Sequence, residues 1–107
     1  IDGCEVVGTI LEPEEAFHRA FRTRDFDVTE LSTSSHMMML SRGESTHVGI
    51  PATLSRVFRH SGIYVRTDRI RAPADLRGKT VGVPEYQITA NVWIRGLLQD
   101  EYGVKPN

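Results

Sequence analysis

Five short runs rich in β-branched and aromatic residues constrain this chain most. They are residues 4–11 (CEVVGTIL), 27–31, 47–50, 61–66 (SGIYVR) and 79–83. Each is too short for a helix and is bounded by turn residues, so each predicts a strand. Between them lie helical patterns. Pro13 followed by Glu14 and Glu15 opens a helix over 13–23, with proline in the first turn and acids at the positive end of the dipole. Ala16, Phe17, Ala20 and Phe21 form its apolar stripe, and Arg19, Arg22 and Arg24 sit toward its C-terminal end. A second helix, 36–42, follows Ser32-Thr33-Ser34-Ser35, any of whose hydroxyls can cap it, and Gly43 closes it. Residues 72–77 predict one helical turn. Thr89 is the expected cap of a last helix that Gly103 ends, with Ala90, Trp93, Ile94, Leu97 and Leu98 as its buried face. Met37, Met38, Met39 and Leu40 also read as core.

Strands alternating with helices imply an α/β fold with a mainly parallel sheet flanked by helices. The polar stretch TDRIRAP, residues 67–73, is the expected crossing between two lobes: 1–66 holds most of the first, 74–107 the start of the second. A lobe of about 40 residues without disulfide or metal is below the usual size for independent stability. An Asp2-Gly3 turn directly precedes the first strand, and Lys105-Pro106-Asn107 directly follows the last helix. The expectation is therefore an internal stretch of a longer chain.

The 107 residues carry 13 Lys and Arg against 14 Asp and Glu, for a net charge of −1 with the signs interspersed. That balance offers no field for nucleic acid or an anionic membrane surface. No apolar run approaches the ~18 residues of a membrane span, and the opening residues lack the basic and apolar regions of a signal peptide. Cys4 is the single cysteine, so no internal disulfide forms. Four scattered histidines, none at ligand spacing, give no zinc or iron signature.

The stretch VGVPEYQITANVW, residues 81–93, places a carboxylate, a phenol and an amide where a strand hands over to a helix. Ligand sites of α/β sheets lie at such handovers. Four stretches fit that position: 30–36, 51–60, 84–89 and Glu12.

The segment IRAPADLRGKTVGV, residues 70–83, resembles the passage into the second lobe of type II periplasmic-binding-protein folds. More specific are FHRAFRTRDFDVTELS, SRVFRHSGIYVRTDR and VGVPEYQITANVWIRGLLQDEYGVKP. Together these resemble the 4,5-dihydroxyphthalate decarboxylase family over nearly the whole chain. The resemblance implies a two-lobed fold, a protein roughly three times longer, an aromatic dicarboxylate as partner, no cofactor and a cytoplasmic setting. It leaves oligomeric state open.

In such a substrate each carboxyl-bearing carbon is para to a hydroxyl. A base that draws off the phenolic proton pushes electron density onto that carbon, an acid protonates it, and carbon dioxide leaves. The substrate's own hydroxyls thus serve as the electron reservoir. His60, His36 and Glu30 are the expected proton-transfer residues; His60 leads because histidine titrates near neutrality. Arg56 and Arg59 are the expected carboxylate clamps, Arg56 ahead of Arg59, since a guanidinium meets a carboxylate bidentately. Ser34 and Ser35, in the Ser-rich turn before a helix, offer an anion cradle. Glu85 and Tyr86 close on the ligand from the second lobe, with Thr89, also a candidate substrate-binding residue, opening the helix behind them. The plainer alternatives are solvated arginines, structural histidines, capping hydroxyls and a solvated turn. A second functional reading stands beside the lyase: a periplasmic solute-binding protein of an uptake transporter, capturing an aromatic carboxylate or similar anion unchanged. The same fold serves both.

Overall fold

Helix α1, Pro13–Arg22, starts where the sequence places it, with Pro13 in the first turn and Glu14 and Glu15 at its positive end. In this computed structural model, which describes residues 2–106 apart from the side chains of His60 and Ser61, two compact units form, Ile1–Leu31 and Ser32–Asn107. In the first, α1 turns Ala20 fully inward, with Ala16, Phe17 and Phe21 half-buried beside it. Arg19 organises the exit of this helix. Its Nε donates to Asp25 at 2.7 Å and its guanidinium lies 4.9 Å from the Phe26 ring centroid. The Arg24 N–H reaches back to the Arg19 carbonyl at 2.8 Å, and Arg24 itself takes a left-handed φ of 58°.

In the second unit, α2 spans Thr33–Ser41 and α3 spans Thr89–Tyr102. Helix α2 begins three residues earlier than expected, with Ser32 as its cap residue. Gly43 ends it at a φ of 69°, a conformation that costs a side chain about 1–2 kcal/mol. Short 3₁₀ turns occupy Arg59–Gly62 and Pro73–Leu76. Helix α3 packs against both turns and against α2. Past its end, Gly103 at φ 64° folds the chain over, so that the Val104 N–H reaches the Leu98 carbonyl at 2.9 Å. Leu98 and Val104 are both buried.

No strand forms among the described residues, where a mainly parallel sheet is the expectation. The five apolar runs lack strand pairing, and most of their large side chains stand in solvent: Ile10 is 99% exposed, Val48 90% and Tyr64 90%. The reason is physical. Strand propensity measures fit to a pleated, half-buried surface, and the backbone of a strand must pair with a neighbour. The runs carry the propensity without the ladder.

Three expected core positions also differ. Trp93 is 61% exposed, because the inward side of α3 passes through Asn91 and Leu98, seven residues apart, and Trp93 lies on the other side. A shallow hollow of about 260 Å³ runs beside it, lined by Val92, Gly96, Leu97 and Asp100. Met37 and Leu40 are exposed as well, and α2 buries no residue fully.

Candidate functional site

A helix start leaves N–H groups without partners inside the helix. Helices α2 and α3 answer this for each other. The Oγ of Ser32, just before α2, accepts the N–H of Thr89, the first residue of α3, at 3.3 Å. In return Thr89 Oγ1 accepts the N–H of Ser34, in the first turn of α2, at 3.1 Å. Thr89 was expected to cap its own helix; its hydroxyl caps the other one, and Ile88 holds the cap position of α3.

The hydroxyls form a chain in which each donates once. Ser35 donates to Ser32 Oγ at 3.3 Å, Ser32 to Thr89 Oγ1 at 3.0 Å and Thr89 to Ser34 Oγ at 3.3 Å. Ser34 then donates to the Gln87 carbonyl at 2.6 Å. Ser32 is buried, and the other three are partly so. The expected site residues Ser34, Ser35 and Thr89 are therefore brought together, with their hydroxyl hydrogens committed within the cluster and to the Gln87 carbonyl. Among the described residues no side chain caps the N–H groups of Thr33 and Ser35 on α2 or of Ala90 on α3. These amides, at two adjoining positive helix ends, are what the arrangement can offer an anion.

The Pro84–Gln87 turn is fastened carbonyl by carbonyl. Asn91 Nδ2 donates to the Glu85 carbonyl and Arg95 Nη1 to the Tyr86 carbonyl, each at 2.5 Å. Ser34 holds the Gln87 carbonyl as described. The guanidinium of Arg95 also lies 3.7 Å from the centroid of the Tyr86 ring. The side chains of Glu85 and Tyr86 remain exposed. Sequence reasoning missed Asn91 and Arg95, because a polar residue on a helix face signals nothing about a carbonyl six or nine positions earlier.

The other expected residues are placed as follows. His36 lies in the first turn of α2, partly buried, with Nδ1 3.4 Å from Ser45 Oγ and its N–H on the Ser32 carbonyl at 2.9 Å. Arg59 opens the 3₁₀ turn that packs on α3 and is partly buried. Arg56 is exposed in irregular chain, and no hydrogen bond joins it to the hydroxyl cluster among the described residues. Glu30 is exposed in the first compact unit, and Glu12 is the cap residue of α1. The His60 side chain lies outside the described residues.

Three carboxylates are held below the ordinary range, and none is an expected site residue. For Asp25 the causes are hydrogen bonds from Thr23 and then Arg19. For Asp68 the cause is Arg66, whose Nη2 donates at 2.8 Å. For Asp75 it is the N–H groups of Arg71 and Ala72, at 2.9 and 3.0 Å. These are structural uses of charge at turns. Among the described residues no group of His, Cys, Asp and Glu could hold a metal, and no helix is long and apolar enough to cross a membrane.

Two curated proteins, each described as a 4,5-dihydroxyphthalate decarboxylase, match the chain over 106 residues, which is 98% of its length. The one from Comamonas testosteroni is 56% identical and the one from Pseudomonas putida 49%. This chain is similar to the 4,5-dihydroxyphthalate decarboxylases along nearly its whole length. The resemblance read from FHRAFRTRDFDVTELS, SRVFRHSGIYVRTDR and VGVPEYQITANVWIRGLLQDEYGVKP is borne out. The chain spans only 32% and 41% of the length of these two relatives. No family model matches it.

Proposed function

We propose that this chain is a segment of a carboxy-lyase that converts 4,5-dihydroxyphthalate to 3,4-dihydroxybenzoate in the cytoplasm. The observation that carries this reading is the match at 56% and 49% identity to two proteins described as that decarboxylase. The same match favours turnover over capture by a transporter's binding protein.

In the proposed fold, of the type II periplasmic-binding-protein kind, residues 1–66 belong to one lobe, 67–73 cross over and 74–107 begin the other. The exposed apolar runs are then strands of sheets completed by the rest of the protein. One substrate carboxylate rests at the joined starts of α2 and α3, taken by the amides of Thr33, Ser35 and Ala90, with Ser34, Ser35 and Thr89 building the cradle. Burying a carboxylate without donors costs several kcal/mol, about the loss such a cradle prevents. Arg56, supported by Arg59, clamps the other carboxylate. Glu85 and Tyr86 close on the ring and its hydroxyls. Glu30 or His36 draws off the phenolic proton para to the departing carboxylate, and His60 delivers a proton to the ring carbon. The carbon–carbon bond then breaks, carbon dioxide leaves and the ring recovers its aromaticity.

Incubating the protein that contains this chain with 4,5-dihydroxyphthalate, while following carbon dioxide and 3,4-dihydroxybenzoate, tests the reading. Equimolar formation of both is expected. Saturable binding with no product would replace the lyase with a binding protein.

A further inference from the structure

Three consecutive carbonyls of the turn after Pro84 each accept a hydrogen bond from a different side chain: Glu85 from Asn91, Tyr86 from Arg95 and Gln87 from Ser34. An exposed turn needs none of this, because water satisfies its carbonyls. The fastening also has a cost. Asn91, in the first turn of α3, is buried at 5% exposure, and Arg95 gives up side-chain freedom to lie across a ring. A turn fixed at three successive points has one backbone path, which fixes the directions of its side chains. Arg95 acts on one residue twice, holding the Tyr86 carbonyl through Nη1 and facing the Tyr86 ring at 3.7 Å. Tyr86 is thereby set in both backbone and ring plane while its surface stays 60% open.

We propose that Asn91 and Arg95 are positioning residues for substrate affinity: they clamp the Glu85–Tyr86 turn onto α3 so that its carboxylate and phenol meet the aromatic ligand already ordered. This rests on the decarboxylase reading for the identity of the ligand, but the clamp itself does not. Ordering a turn before binding removes that entropy loss from the binding step, so releasing it weakens affinity and leaves the chemical step alone.

The test uses N91A, N91D, R95M and R95K in the complete protein, with two readouts. Hydrogen exchange across residues 84–90 is expected to accelerate in N91A, N91D and R95M, since each removes a donor, and to stay near wild type in R95K, which keeps a cation and a donor. KM for 4,5-dihydroxyphthalate is expected to rise about tenfold in R95M with kcat within about twofold, and R95K is expected to recover most of the loss. In a Y86A background R95M should add little further loss, because Arg95 acts through Tyr86. Unchanged exchange, an equal fall in kcat, or full additivity with Y86A would overturn the proposal. A wild-type protein that releases no carbon dioxide overturns the decarboxylase reading alone. The variants are then judged by exchange and by the calorimetric Kd for the same compound, and an unchanged Kd in R95M would overturn the clamp's role in affinity.

Discussion

The N–H of Ser34 donates to Thr89 Oγ1 at 3.1 Å, across 55 residues of sequence. With the return bond from the Thr89 N–H to Ser32 Oγ, two helices begin at one place and cap one another. A hydroxyl shared in this way does more than finish a helix. It fixes the separation and direction of two positive helix ends, and it ties the turn before α3 to the first turn of α2 through the Gln87 carbonyl.

Thr89→Val keeps the shape of the side chain and removes its hydroxyl, leaving the Ser34 N–H and the Ser32 hydroxyl without their acceptor. A loss of about 1–2 kcal/mol in unfolding free energy is expected from urea titration, and Thr89→Ser should lose less than half of that. Equal stability of wild type and T89V would mean that the shared hydroxyl contributes nothing.

Gly103→Ala tests the turn that closes α3. At φ 64° a side chain is strained whatever the space, and a Cβ there would stand 3.4 Å from Arg77 Nη2, which donates to the Tyr102 carbonyl. A loss of about 1 kcal/mol is expected by thermal unfolding. An unchanged midpoint would show that the turn relaxes freely.

Acid should weaken the turn at Pro73–Leu76. The N–H groups of Arg71 and then Ala72 hold Asp75 below the ordinary carboxylate range. A carboxylate lowered on folding contributes stability that is present above its unfolded pKa and lost as pH falls through its folded one. Wild type should therefore exceed Asp75→Asn in urea midpoint at about pH 7, and the gap should close toward about pH 3. A gap that widens in acid would contradict the assignment.

Arg56→Ala and His60→Ala separate binding from chemistry. In the proposed roles Arg56→Ala raises KM about tenfold with a small change in kcat, whereas His60→Ala lowers kcat by about 10²–10⁴. Steady-state kinetics on the complete protein distinguishes them. Equal, small effects would assign these roles to other residues.

What could be read from the sequence followed how local its cause is. Helix α1 was visible because Pro13, the acids after it and the stripe through Ala20 all lie within one helix. The ends of α2 and α3 were visible because Gly43 and Gly103 mark a left-handed conformation by themselves. The start of α2 was less so: four hydroxyl residues in a row left several cap positions equivalent, and a residue near position 89 decides among them. Trp93 read as core because an apolar stripe was matched without Asn91, the buried polar residue that marks the inward side. The strand runs show the opposite limit. Their composition is genuine, but pairing is a relation between distant segments that no single run encodes. Of the site, Ser34, Ser35 and Thr89 were each singled out by residue, while their gathering at one place, the direction of their bonds and the hold of Asn91 and Arg95 on the turn were not.

The most direct measurement is the steady-state conversion of 4,5-dihydroxyphthalate by the complete protein in three forms: wild type, T89S and T89V. If the joined starts of α2 and α3 cradle a substrate carboxylate, wild type and T89S release carbon dioxide with similar KM, and T89V shows a KM raised about tenfold. Wild-type and T89V proteins with the same KM would contradict the cradle, and no carbon dioxide from the wild type would contradict the decarboxylase assignment itself.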